Sequence, residues 1–324
     1  MLRYLYYINI IFIYLILKIE MTELKTYNLA LSVNWIYDWD FINAIEKVSH
    51  EQGLSTFVIH DDNLEETLIR INNDLLFFNF LFDRASDSSS EFLKFQNILK
   101  SKNTKIIDSY EKLKWVSDKA TMHLEFINNG IETPYTFIIP PYDSYENIYI
   151  PEEELIKMGN PFIVKPANTT GGGIGVFDNA KNLNDILETR KKFKKDKYLV
   201  QQKIYPVEKD GKYFWFRCFY TFGYIQCTWW NNITKKYQLL ENIEVSKYKL
   251  EKLSEIVEAI YRIININFFS TEIALDKNNK FIVIDYVNEL CDMRFQSKHY
   301  DGIPDIIINN ITKYLVHYIK ERLI

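Results

Sequence analysis

The stretch Pro161 to Val176 constrains this chain more than any other. It reads Pro-Phe-Ile-Val-Lys-Pro-Ala-Asn-Thr-Thr-Gly-Gly-Gly-Ile-Gly-Val. Phe162, Ile163 and Val164 read as a short buried strand, with the charge of Lys165 at its end. Behind them lies a polar loop with Gly171, Gly172, Gly173 and Gly175, four of only ten glycines in 324 residues. Chance composition does not give that density. Glycine permits positive φ and lets backbone N–H groups approach a ligand with no Cβ in the way. Successive N–H groups in such a loop form a concave anion site, and the lysine adds a full positive charge. The stretch predicts a phosphate cradle; a glycine-rich hairpin turn is the plainer alternative. No Gly-Lys-Ser/Thr follows, so it is not a Walker A loop. Val176 stands where a dinucleotide fingerprint would need a further glycine.

Length allows two or three cores, and a 47% apolar fraction is ordinary for a globular chain. A net charge of −4 gives no broad basic field, which argues against nucleic acid as a partner. Cys218, Cys227 and Cys291 are odd in number and lack C-x-x-C spacing. They read as reduced thiols of a cytoplasmic protein rather than a disulfide frame or zinc site. Leu2 to Leu17 is almost wholly apolar, between Arg3 and Lys18, with no small-residue cleavage site. Met21-Thr-Glu-Leu-Lys resembles an ordinary cytosolic start, so residues 1–20 are expected to be an upstream extension from a misplaced start codon. A membrane anchor is the alternative.

Along the chain, strands are expected at 26–34, 55–60 and 75–82, alternating with helices that carry Phe41, Ile45 and Val48, then Leu64, Leu68 and Ile71. That alternation predicts a small α/β domain with a parallel sheet to about residue 108. Its third strand ends in Asp83-Arg84-Ala85-Ser86-Asp87, at a strand terminus where such sheets hold ligands. A capped, solvated turn is the other reading. Ser117-Asp118-Lys119 opens a helix that stops at Gly130, and a strand follows over 135–139. A short helix is expected over 152–158 and a charged one over 178–195, whose Arg190, Lys191, Lys192, Lys194 and Lys195 suit a solvated C-terminal turn. Strands follow at 198–204, 214–220 and 224–230, then one long amphipathic helix over 246–265. Strands at 268–275 and 280–287 and a last helix over 304–323 complete the pattern.

A triphosphate needs a divalent cation, and Mg²⁺ takes carboxylate oxygens. Glu272 and Asp285, with Asn288, lie in the last two strands, where acids are costly unless paired or metal-bound. If these strands form a hairpin, Glu272 and Asp285 can face one side. Pairing with a buried arginine, Arg217 or Arg294, is the competing reading.

From Ser117 to Arg294 these pieces, in order, resemble the ATP-grasp superfamily of ATP-dependent ligases. They are Asp118-Lys119 with Gly130-Ile-Glu-Thr-Pro134, Phe162–Pro166 with the glycine loop, Leu199–Ile204, Phe216-Arg-Cys-Phe219, and Glu272 with Asp285-x-x-Asn288. The superfamily usually has Glu-x-Asn at the last position, so one extra residue leaves Asn288 and Glu289 as alternatives to complete the site. The resemblance implies an ATP-grasp fold of class α/β and α+β. Two α+β subdomains, residues 117–205 and 206–324, would hold ATP between them, with residues 21–116 as the preceding α/β substrate domain.

By the same resemblance, Lys119 and Lys165 would hold the α- and β-phosphates. Gln201, Gln202, Lys203 and Ile204 would bind adenine and Glu208 the ribose, while Thr169, Thr170, Gly171, Gly172, Gly173 and Gly175 would close over the γ-phosphate. Glu272, Asp285 and Asn288 would bind Mg²⁺, one ion or two, with Mn²⁺ as a substitute. Arg217 would stabilise transferring charge, and Arg294 or Arg84 would hold a substrate carboxylate. The implied function is ligation of a carboxylate to an amine or thiol through an acyl phosphate, on small-molecule or peptide substrates. A kinase on the same fold and a nucleotide-binding regulator without turnover are the alternatives. Substrate identity and oligomeric state are not encoded in any motif.

Overall fold

The first strand is buried on both faces: Leu29, Leu31 and Val33, expected on one face, are fully buried, and so are Ala30 and Ser32 between them. A computed structural model describes residues 24–169 and 173–323, so the expectations for residues 1–20 and for Thr170, Gly171 and Gly172 lie outside the described residues. The chain divides into two compact units.

The first unit takes the chain to Tyr110 together with the segment from Ile308. It contains β1 (Lys25–Val33), α1 (Trp39–Glu51), β2 (Thr56–Ile59), α2 (Asp61–Asn72), β3 (Leu76–Arg84), α3 (Ser90–Ser101) and β4 (Lys105–Ile107). All strand pairs are parallel, in the order β2-β1-β3-β4. This is the expected alternating α/β sheet, with Phe92, Phe95 and Leu99 of α3 in its core. The chain reverses its winding between β1 and β3, so Asp83 and Arg84 sit at the switch point. Both are internally engaged. Asp83 Oδ1 accepts Ser32 Oγ at 2.6 Å and the Ala85 N–H at 2.9 Å, and Gln96 Nε2 donates to Oδ2. Arg84 donates to both oxygens of Asp38 at 2.7 and 2.8 Å.

The second unit, 111–307, begins within α4 (Tyr110–Ser117). It continues with α5 (Lys119–Asn128), β5 (Thr136–Ile139), α6 (Glu152–Met158), β6 (Phe162–Pro166), β7 (Phe177–Ala180), α7 (Leu183–Arg190) and β8 (Tyr198–Gln202). Its first antiparallel sheet runs β5-β8-β6-β7. A small hairpin, β9 (Glu208–Lys209) with β10 (Lys212–Tyr213), leads to β11 (Trp215–Thr221), β12 (Tyr224–Asn231) and β13 (Lys236–Leu239). After α8 (Asn242–Tyr248) and α9 (Lys252–Ile264) come β14 (Phe268–Leu275) and β15 (Phe281–Asn288), closing a five-stranded antiparallel sheet β13-β12-β11-β14-β15. Leu253, Val257, Ile260 and Ile264 recur every three or four residues and bury one stripe of α9 in this sheet's core, about 1.5–3 kcal/mol for each side chain removed from water. The last helix, α10 (Asp305–Lys320), joins the first unit from Ile308 onward, although the sequence grouped it with residues 206–324.

Four expectations are corrected. The helix placed over 178–195 is a strand, β7, followed by α7, because Asn182 caps a new helix by accepting the Asp185 N–H. Arg190 is not solvated: it is fully buried and donates to Pro140 O and Tyr145 O, tying down the 140–146 connection. The helix placed over 246–265 is broken into α8 and α9 where Lys249 turns left-handed at φ 56°. Cys218 and Cys227 are not thiols but a disulfide, since the β11–β12 register sets them opposite each other. Cys291 is buried outside that disulfide, its Sγ donating to Asn288 O at 3.3 Å, and cysteine usage no longer argues for a reducing compartment. Among the described residues, no helix is long and apolar enough to cross a membrane.

Candidate functional site

The glycine loop leaves β6 and is anchored at its base by a residue the sequence did not single out. Asp196, which is buried, accepts the N–H groups of Asn168 and Thr169, the Asn168 amide and the Thr169 hydroxyl, all between 2.9 and 3.1 Å. Gly175 stands at φ +82°, and a Cβ there would come within 2.6 Å of the Phe193 ring, so this position needs glycine. The Lys119 N–H donates to Ala167 O, which fixes the start of α5 against the same loop base. Asp118 caps that helix through the Thr121 N–H and pairs with Lys197 at 2.7 Å.

Glu272 and Asp285 stand directly opposite each other on β14 and β15, so they share one face. Ser270 pairs with Asn288, two residues further along β14 but three along β15. A bulge takes up the extra residue, and Asn288 therefore returns to the face of Asp285. That accounts for the Asp285-x-x-Asn288 spacing. A second register shift leaves Ile284 unpaired, and Lys165 Nζ donates to its carbonyl at 3.2 Å.

Three cations converge on the acids. Arg217 lies 3.0 Å from Glu272 and 4.0 Å from Asp285, and Lys119 lies 3.7 Å from Asp285. Trp215 Nε1 donates to Glu272 at 2.9 Å, and Arg217 donates to Ser270 Oγ at 3.3 Å. Burial pushes the Asp285 carboxyl up, but Lys119, Arg217 and Lys165 together hold it below the usual carboxylate range. Burial pulls Lys165 down to about 8 against the opposing pull of Asp285. Lys119, Lys165 and Arg217 against Glu272 and Asp285 leave the cluster with one positive charge in excess, as an anion-binding site requires. The pairing of an acid with Arg217, one of the two sequence alternatives, is present, and it coexists with the shared-face arrangement. Among the described residues no three His, Cys, Asp or Glu side chains gather as a metal site. Two carboxylates and the Asn288 amide on one face are nevertheless hard oxygen donors of the kind Mg²⁺ takes.

The expected hinge is built around a hydroxyl that sequence reasoning missed. Tyr286 OH accepts from Gln201 Nε2 at 2.8 Å and lies 2.8 Å from His123 Nδ1 on α5. Gln201 is buried, and its Oε1 has no partner among the described residues. Gln202 donates its N–H to Tyr135 O, and Lys203 Nζ to Asp178 O. Ile204 is half-buried beyond β8, and Glu208 is exposed on β9. Arg294 is held by Asp292 at 2.7 Å and Asp301 at 3.0 Å. The link joins α5, β8 and β15, and no local pattern around Tyr286 points to it.

His123 gives a pH prediction. Burial, aided by the charge of Lys165, pulls its ring down to about 4. The folded protein keeps the ring neutral to about pH 4, whereas the unfolded chain protonates it near 6.5. Stability should therefore fall as pH drops from 6.5 to 4, by about 3 kcal/mol from this group. His123→Gln should flatten that slope in thermal unfolding between pH 7 and 4; an unaltered slope would assign the acid sensitivity to other groups.

No protein-family model and no curated protein sequence matches this chain. Solved structures do. D-alanine–D-alanine ligase from Bacillus anthracis, complexed with ATP, aligns over 91% of this chain and 96% of its own, with a TM-score of 0.63 and 15% identity. A RimK-domain ATP-grasp protein from Sphaerobacter thermophilus gives a TM-score of 0.59 over 90% and 98%, at 13% identity. Macrocyclase MdnC from Microcystis aeruginosa, bound with precursor peptide MdnA, gives 0.58 over 90% and 99%, at 12% identity. The chain has the ATP-grasp fold.

Proposed function

We propose that this protein is an ATP-dependent ligase that joins a carboxylate to an amine. The observation that carries the reading is the convergence of Lys119, Lys165 and Arg217 on two acids that share one sheet face beside a glycine loop. In this reading Lys119 and Lys165 hold the α- and β-phosphates, and the loop from Thr169 to Gly175 covers the γ-phosphate. The orphaned Gln201 Oε1 suits an exocyclic amino donor such as that of adenine, flanked by Gln202, Lys203 and Ile204, with Glu208 toward the ribose. Glu272, Asp285 and Asn288 would hold Mg²⁺, which when bound supplies neutralising charge to the triphosphate.

Phosphoryl transfer asks the protein mainly for position and charge. A substrate carboxylate oxygen attacks the γ-phosphorus and ADP leaves; an amine then attacks the acyl carbon and phosphate leaves. Arg217 faces the charge that develops in both steps. The neighbours include proteins described with small-molecule and with precursor-peptide names, so both substrate classes belong in the test. ADP release should appear with pools of carboxylates and amines, and hydroxylamine should trap the activated carboxylate as a hydroxamate. A stable phosphoester in place of hydroxamate would make the protein a kinase. Absence of ATP binding would end the reading altogether.

A further inference from the structure

Both arginines that the sequence offered for a substrate carboxylate are taken by the protein's own carboxylates, Arg84 by Asp38 and Arg294 by Asp292 and Asp301. Another pair of donors is not taken. Arg217 commits its two terminal nitrogens to Ser270 and Glu272, and its Nε is buried with no acceptor among the described residues. Trp230 Nε1 is likewise buried and without an acceptor.

These two side chains are neighbours by construction. Arg217 pairs with Thr228 across β11 and β12, and Trp230 lies two residues beyond Thr228, on the same face. The guanidinium carbon lies 5.5 Å from the Trp230 ring centre. Trp230 in turn pairs with Tyr237 of β13, ring centres 4.3 Å apart, which fixes the indole plane. Trp230 is 7% exposed. A buried donor left without an acceptor costs roughly 1–3 kcal/mol, so two of them on neighbouring side chains call for a ligand that supplies oxygen. Indole N–H and guanidinium Nε only donate, and the nearby positive charge selects an anion. The same Arg217 reaches Glu272 and Asp285, so the oxygens held here sit where the proposed phosphoryl transfer takes place.

We propose that Trp230 Nε1 and Arg217 Nε together bind the carboxylate that the enzyme activates, with the Trp230–Tyr237 ring pair as the wall of that subsite. Trp230 is then a substrate-binding residue that sets which carboxylates are accepted. This rests on the ligase reading above and deepens it.

Acetate serves as the probe, on the full chain and without nucleotide. The indole N–H resonances of isotope-labelled protein report each tryptophan, and Trp230→Phe identifies the Trp230 signal while keeping a ring against Tyr237. Trp230→Tyr is the fallback if the first variant does not fold. The Trp230 signal should move saturably with sodium acetate, and not with methyl acetate or with sodium chloride at equal ionic strength. Arg217→Gln should weaken that response about tenfold, as loss of one charge-assisted hydrogen bond implies. A signal that stays in place, or that moves equally with the neutral ester, overturns the proposal. ATP binding measured on the same sample separates the two claims. If ATP binds while acetate leaves Trp230 unmoved, only the carboxylate subsite falls. If acetate moves Trp230 while ATP does not bind, the subsite stands and the ligase reading falls.

Discussion

Asp285→Asn should lower Mg²⁺-dependent ADP release by about a hundredfold or more, since one oxygen charge at a phosphoryl site is worth that much. Its effect on stability should be small. Asp285 is 29% exposed on its side chain and reaches Lys119 and Arg217 only at 3.7 and 4.0 Å. Partly exposed pairs at such distances contribute about 0–1 kcal/mol. Glu272 is the contrast. It is held by Arg217 at 3.0 Å and by Trp215 at 2.9 Å, with its side chain 13% exposed. Glu272→Gln should therefore lower both turnover and melting temperature. Thermal unfolding beside ADP release, for both variants and the parent, separates the roles. A destabilised Asp285→Asn that still turns over ATP at the parental rate would make this carboxylate scaffold and remove the metal site from the proposal.

Lys165→Met should weaken ATP binding at least tenfold without destabilising the nucleotide-free protein. Lys165 is 7% exposed and is held down to about 8 by burial. The unfolded chain keeps that proton to about pH 10.5, so from pH 8 to 10.5 stability rises as the cost of the buried charge disappears. Below pH 8 the charged side chain costs the fold about 3 kcal/mol. Methionine removes that cost and loses only the bond to the Ile284 carbonyl. Calorimetry with ATP and thermal unfolding at neutral pH measure both arms. Lower stability with parental ATP affinity would mean that Lys165 serves the core and not the nucleotide.

What the sequence discloses follows from how local each signal is. The cap at Asp118, the need for glycine at 175 and the apolar run of the first strand are written over a few neighbouring residues, and each is in the structure. The facing of Glu272 and Asp285 was legible because two apolar strands joined by a short turn have little choice but to pair. The rest depends on partners distant in sequence. Asp196 holds Asn168 and Thr169 from nearly thirty residues away, and nothing in its own turn marks it. Tyr286 meets His123 and Gln201 only after three elements have packed. Arg190 reads as one more cation in a basic run, and only its reach back to the 140–146 connection explains its burial. Cys218 and Cys227 are odd company in composition, but the β11–β12 register makes them neighbours.

The bulge between Asp285 and Asn288 has a bearing on how such sites drift. Along a strand, membership of a site is a matter of parity: even offsets keep a side chain on the face, odd ones reverse it. An offset of three would set Asn288 on the face opposite Asp285, yet the extra residue is absorbed sideways and the odd count is read as even. Divergence can thus change the linear signature of a site while its spatial signature is retained. Two chains can carry the same constellation with spacings that no fixed pattern matches.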